Sequence, residues 1–247
     1  MNNAIEIRKL TKDYKDIRAV DNLELEIREK ELFALLGVNG AGKTTTNKML
    51  CCITAPTSGD ALLNGKSIAQ NADDVKKIIA VSPQETAVAP NLSVEENLNL
   101  MCGVHGFDKQ KTQQKTAEMI EEFKLDRIRK KKAGKLSGGW QRRLSIAMAL
   151  ISEPQILFLD EPTLGLDVIA RSELWETIRE LKSRMTIILT THYMEEAEEL
   201  SDRIGVMKDG HLLAVGTAQE LKDMTGEDKF ENAFIKLVTG KNAGGAR

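Results

Sequence analysis

The stretch Gly37-Val38-Asn39-Gly40-Ala41-Gly42-Lys43-Thr44 limits what this chain can become more than any other. It follows the apolar run Leu32-Phe33-Ala34-Leu35-Leu36 and leads into a segment, Thr44 to Ile53, that reads as a helix. Strand, glycine loop and helix, with the spacing G-x-x-x-x-G-K-[ST], make a phosphate-binding loop. The glycines let successive backbone N–H groups turn inward, and the helix N-terminus adds the positive end of its dipole. Lys43 can then reach the β- and γ-phosphates of a nucleoside triphosphate, and the Thr44 hydroxyl can bind Mg²⁺.

A second motif supplies what such a loop lacks. The apolar run Ile156-Leu157-Phe158-Leu159 ends in Asp160-Glu161. A carboxylate at the C-terminal end of a strand can hold Mg²⁺ from below the phosphates, and Asp160 takes that role. Glu161 points to the other side of the pleat, where it can polarise an attacking water as general base. Leu136-Ser137-Gly138-Gly139-Trp140 reads as a helix start with Ser137 at the N-cap. Its two glycines admit a close backbone approach, and both an anion site and a simple helix cap remain open.

The rest of the chain reads as one large α/β unit with an insertion. Residues 4–36 show strands in which Ile5, Ile7, Leu23, Leu25 and Ile27 recur at period two. Tyr14 lies in the polar loop Lys12-Asp13-Tyr14-Lys15. Pro56 to Asp60 is a turn, Asn64-Gly65 a hairpin signal, and Ile78 to Val81 a short buried strand. From residue 91 to 150 the pattern becomes helical, opening on the capping box Ser93-Val94-Glu95-Glu96 and continuing in a helix over Asp108 to Phe123. The basic run Arg127 to Lys135 reads as a solvated loop. Next come a helix over Ile169 to Leu181, a parallel-type strand at Thr186 to Thr190 and a hairpin about Lys208-Asp209-Gly210. Thr217 caps a short helix, Phe230, Ala233, Phe234 and Leu237 form an apolar stripe on a last one, and Gly240 to Arg247 is expected to be disordered.

The expected fold is an α/β P-loop NTPase, with a RecA-like parallel-sheet core, an N-terminal antiparallel β subdomain and an inserted helical subdomain. The core takes residues 1–90 and 151–226, the helical subdomain 91–150, and the C-terminal helix and tail 227–247. Lys+Arg 35 against Asp+Glu 37 gives a formal charge of −2, which argues against a nucleic-acid partner. The 3 cysteines, Cys51, Cys52 and Cys102, form neither a zinc spacing nor a disulfide framework and fit a reducing cytoplasm. The N-terminus begins Met1-Asn2-Asn3 and soon alternates in charge, so no signal peptide is expected. No apolar run approaches the roughly 20 residues of a membrane span. Work at a membrane would need a second chain to cross it.

In their order and spacing these motifs resemble the ATP-binding subunit of ABC transporters, from about Ala4 to Gly226. The resemblance assigns roles residue by residue. It makes Tyr14 the ring that stacks on adenine and wraps the phosphates in Asn39, Gly40, Ala41, Gly42, Lys43, Thr44 and Thr45. Gln84 becomes the Q-loop residue that touches Mg²⁺ or the water and senses the membrane partner. Ser137, Gly138 and Gly139 become the signature that meets the γ-phosphate of an ATP held by a second subunit. Leu164-Gly165-Leu166-Asp167 is similar to the D-loop of a dimer interface. His192 would contact the γ-phosphate and hold the catalytic geometry with Glu161, Lys43 and Gln84, whereas His105 and His211 receive no role. Three residues depart from the family pattern: Val38 for proline, Trp140 for glutamine, and Gly165 for a small residue such as alanine.

The implied cofactors are ATP and Mg²⁺; the implied partners are a second ATP-binding subunit and a transmembrane permease. The implied location is cytoplasmic, peripheral on the inner face of the cell membrane. Gln141 to Ala147, the short link Asn97 to Gly106 and the tail helix lean toward exporters of drugs, lipids or peptides. A soluble ABC ATPase of iron–sulfur cluster assembly is the alternative. DNA-repair and ribosome-bound ABC proteins fit less well, because the chain has one motif set and no sustained heptads. An ordinary P-loop kinase would leave Ser137 to Gly139 and His192 unexplained.

Overall fold

A computed structural model of the chain describes residues 2–240. The period-two pattern near the N-terminus folds as a long antiparallel pair, β1 (Asn3–Tyr14) and β2 (Ile17–Arg28). Ile5 lies opposite Ile27, Ile7 opposite Leu25 and Leu10 opposite Leu23, so one face carries the apolar set. The chain then crosses to a second sheet as β3 (Leu32–Gly37), which is buried at every position. A strand apolar on both faces belongs in the middle of a parallel sheet. After the glycine loop comes α1 (Lys43–Leu50). β4 (Ser58–Leu63) and β5 (Lys66–Ser67) return to the first sheet, giving the order β2-β1-β4-β5.

A short α2 (Ala72–Lys76) leads to β6 (Ile79–Ser82) at the far edge of the second sheet. The helical stretch comes next as α3 (Val94–Val104), α4 (Lys109–Glu122) and α5 (Gly138–Leu150). Ser93 and Glu96 make the reciprocal capping box that starts α3. The basic run is pinned rather than loose. The N–H of Val94 donates to the carbonyl of Lys131 at 3.1 Å, and that of Ala133 to Leu92 at 2.8 Å.

The sheet is completed by β7 (Ile156–Asp160), α6 (Val168–Lys182), β8 (Thr186–Thr191), α7 (Met194–Leu200), β9 (Arg203–Lys208) and β10 (His211–Gly216). Its order is β10-β9-β3-β8-β7-β6, parallel from β9 to β6, with β10 antiparallel at the edge. α8 (Ala218–Thr225), with its Thr217–Glu220 capping box, and α9 (Phe230–Thr239) close the described chain. Gly240 caps α9 at φ +67°, and the rest of the expected disordered tail lies outside the described residues. No helix among the described residues is long and apolar enough to cross a membrane.

Because side chains alternate along a strand, the central strands feed two cores. Leu32, Ala34 and Leu36 of β3 join Leu157, Leu159, Ile187 and Leu189 beneath the helices. Phe33 and Leu35 join Ile156, Phe158 and Ile188 against α1 and the antiparallel sheet. One expectation is shortened. α1 stops at Leu50 rather than Ile53, because Cys52 takes a left-handed conformation at φ +55° and the N–H of Ile53 turns back to the carbonyl of Lys48 at 2.9 Å. The two adjacent cysteines therefore stand just past the helix, both as free thiols, and burial pushes the Cys51 thiol far above its ordinary range.

Candidate active site

Parallel strands all point their carboxyl ends the same way, and ligands of open α/β sheets gather there. In this sheet the residues beyond those ends are the glycine loop after β3, Gln84 after β6, Glu161 after β7, His192 after β8 and Asp209 after β9. They meet around a cavity of 660 Å³, whose wall also includes Ile17, Arg18, Ala19 and Leu164.

The loop itself is built from close approaches. Gly40 and Gly42 hold φ +82° and +103°, the left-handed region that glycine tolerates best. A Cβ on Gly42 would stand 2.6 Å from the carbonyl oxygen of Ala19, and one on Gly37 would stand 2.5 Å from that of Met207. Gly42 is also the N-cap of α1, so no side chain caps the amides of the first turn. Those amides have no intrahelical acceptor, and no acidic side chain occupies that turn. That is the donor set a phosphate group requires.

Lys43 is 6% exposed. Its Nζ donates to the carbonyls of Gly37 at 2.8 Å and Val38 at 3.2 Å, and lies 4.0 Å from Glu161 Oε1. Burial lowers its pKa, and the neighbouring carboxylates Glu161 and Asp160 oppose that fall. Glu161 is 7% exposed and adopts φ +48°, with its N–H donating to the carbonyl of Thr190 at 3.0 Å. Its Oε2 lies 2.8 Å from His192 Nδ1. The pairing of β7 beside β8, with Asp160 opposite Thr190, brings these two together. Asp160 accepts from the Thr190 hydroxyl.

Thr44, Asp160 and Gln84 offer hard oxygen donors of the kind Mg²⁺ prefers. No cluster of three His, Cys, Asp or Glu ligands occurs among the described residues. The backbone of the Gln84 loop is anchored, since the buried Arg142 guanidinium donates to the carbonyls of Pro83 and Gln84.

Several expected residues stand apart from the cavity wall. Tyr14, at the end of β1, is 44% exposed with the Lys12 ammonium 5.0 Å from its ring centre. Asp160 does not line the wall either. Ser137 is the N-cap of α5 but makes no side-chain capping bond, and both it and Gly138 are exposed. Gly139 is a contact point within the chain, since a Cβ there would stand 2.9 Å from Ala170 Cβ on α6. Trp140 packs against the helical core, with the Arg143 guanidinium 5.0 Å over its ring and Arg143 paired to Glu173 at 3.1 Å.

Conversely, Ile17, Arg18, Ala19 and Asp209 line the cavity although no sequence motif marks them. Backbone bonds bring them there. The Gly210 N–H donates to Ala41 at 3.1 Å, and the Asp21 N–H donates to Gly210 at 2.9 Å. The one local signal is the tight Asp209-Gly210 turn.

A glycine cradle at the carboxyl ends of a parallel sheet, overlooked by a buried carboxylate and a histidine, defines a P-loop nucleoside-triphosphate-binding protein. The chain belongs to the ABC transporter family, whose domain matches residues 20–164. It is 39% identical over 240 residues to the probable multidrug ABC transporter ATP-binding protein YbhF of Escherichia coli, a match covering 95% of this chain and 41% of YbhF. The chain thus spans about two fifths of that relative's length. It is also 39% identical over 226 residues to the daunorubicin/doxorubicin resistance ATP-binding protein DrrA of Streptomyces peucetius, covering 91% of this chain and 68% of DrrA. Among solved structures, it is similar to the dimeric post-hydrolysis state of an ATP-binding cassette bound to ADP and Pi. The TM-score is 0.76 at 26% identity, over 86% of this chain and 98% of that one. The family supports ATP as the bound nucleotide.

Proposed function

We propose that this chain is the ATP-binding and ATP-hydrolysing subunit of an ABC exporter, working as a dimer closed around two ATP molecules. One observation carries the reading. Lys43, Glu161 and His192 meet at one cavity, while the glycine tip of α5 lies exposed outside it. A single chain thus surrounds a triphosphate from one side, and Ser137, Gly138 and Gly139 of a second subunit would complete the other.

In that reading the amides of residues 39–45 and the Lys43 ammonium bind the phosphates. Tyr14 stacks on adenine. Thr44, Asp160 and Gln84 hold Mg²⁺, which when bound neutralises developing phosphate charge. Glu161 orients the attacking water and accepts its proton, and His192, hydrogen-bonded to Glu161, holds that carboxylate in position. Residues 1–90 with 151–226 form the ATP-binding core, 91–150 the helical subdomain that presents the signature, and 227–247 the C-terminal helix and tail. Leu164 to Asp167 cross the dimer interface. Closure and release move a transmembrane permease at the inner face of the membrane. The resistance protein DrrA among the relatives supports export rather than import.

The test is size-exclusion chromatography with light scattering on Glu161→Gln, with and without Mg-ATP. A monomer that becomes a dimer only with ATP is the expected result. A monomer that binds ATP without dimerising would overturn the closed-dimer reading.

A further inference from the structure

One buried carboxyl near Glu161 and His192 has no part in the hydrolytic chemistry assigned to that pair. Glu196, on α7, is 0% exposed and has no ion-pair partner among the described residues. Its Oε1 accepts from the Thr163 hydroxyl at 2.8 Å and from the Trp175 indole N–H at 3.3 Å. The Thr191 hydroxyl adjoins the same carboxyl and accepts from the Tyr193 N–H at 3.0 Å. Three segments therefore converge on one side chain. Thr163 lies two residues after Glu161, Thr191 directly precedes His192, and Trp175 comes from α6.

Glu161 needs such support. Its left-handed backbone, φ +48°, is unfavourable for a residue with a side chain and persists only where surrounding bonds over-determine it. Its hydrogen bond to His192 spans two loops that are separate in sequence. The Thr163 hydroxyl and the Trp175 indole N–H both bond one buried oxygen of Glu196, which ties these segments to a single side chain.

We propose that Glu196 is a positioning residue, a buried carboxyl that fixes the loops carrying Glu161 and His192 at the separation their hydrogen bond requires. The inference rests on the reading of Glu161 as the base. Burial raises the Glu196 pKa, opposed by the Thr191, Thr163 and Trp175 donors, and the nearby charge of Glu161 raises it further. A glutamine at this position keeps an acceptor for Thr163 and Trp175 and carries no charge.

The experiment compares Glu196→Ala, Glu196→Gln and Thr163→Val in the full chain. Glu196→Ala is expected to lower kcat by about ten- to a hundredfold, with the KM for ATP within about twofold. Glu196→Gln should recover most of the loss. Thr163→Val should lose less than Glu196→Ala and add nothing when combined with it. A second readout needs no turnover. Long-range ¹H–¹⁵N spectra of the His192 ring, assigned by their loss in His192→Ala, should change in Glu196→Ala and keep the wild-type pattern in Glu196→Gln.

Wild-type kcat and unchanged ring signals in Glu196→Ala would overturn the proposal. If Glu196→Ala does not fold, wild-type kcat and ring signals in Thr163→Val would overturn it equally. Should the wild-type chain fail to hydrolyse ATP, the base reading falls, while the ring spectra still decide whether Glu196 holds the pair.

Discussion

At the cavity wall, Lys43 and Glu161 are nearly buried and bond to groups of their own chain. At the tip of α5, Ser137 and Gly138 face solvent, and the cap hydroxyl makes no capping bond. Both are helix N-termini bearing glycines, yet the first lines the cavity, whereas the second touches its own chain at Leu166 and Ala170 and leaves Ser137 and Gly138 exposed. The difference separates a site preorganised within one molecule from a glycine-bearing surface left open to solvent. Substitutions in the wall should act on the isolated chain. Those at the tip should act only when two chains meet.

The largest effect is expected from Glu161→Gln, which should cut ATP turnover by about 10²–10³-fold while leaving binding intact, as read by steady-state hydrolysis and nucleotide titration. Full retention of turnover would remove the base from the wall. Lys43→Ala should weaken ATP binding itself by roughly ten- to a hundredfold, because a charge-assisted contact to phosphate is lost. Calorimetric titration of the single chain checks it, and unchanged affinity would count against the cradle. Ser137→Ala sharpens the contrast. It should leave that single-chain affinity unchanged yet lower turnover about tenfold at concentrations where dimers form. A loss of affinity in the isolated chain would show that the tip belongs to the same site as the wall.

The smallest effect concerns stability. Asn47, on α1 beneath the loop, is 5% exposed, and neither its side-chain oxygen nor its nitrogen has a partner among the described residues. Replacing it with leucine should stabilise the fold by about 1–2 kcal/mol, a rise in Tm of roughly 2–6 °C by calorimetry. A fall in Tm would mean that these atoms are bonded in solution.

Much of the wall is legible in the sequence because each element is local. An apolar run leading into a loop that bears Lys43, Asp160-Glu161 or His192 announces a strand end with chemistry on it. The parallel sheet then does the gathering. The contact between Glu161 and His192 is not legible, because it depends on β7 and β8 being neighbours in register. Ile17, Arg18, Ala19 and Asp209 escape notice for the same reason, since backbone bonds between distant turns carry them to the cavity. The early end of α1 turns on a single left-handed residue, Cys52, for which neither thiol neighbour nor helix propensity gives warning. At Leu136 to Trp140, residue types announce a helix start, but only the packing of Trp140 under Arg143 reveals that this indole is directed to its own core.

The alternation of β3, β7 and β8 between two cores also bears on how such a chain can diversify. Ala34 and Leu159 answer to the helices, Leu35 and Phe158 to α1 and the antiparallel sheet, though each pair of neighbours shares one backbone. Drift in the helical layer can therefore be compensated there, without disturbing the packing under the glycine loop. A lineage could remodel its helical side while inheriting the side under the phosphate cradle unchanged.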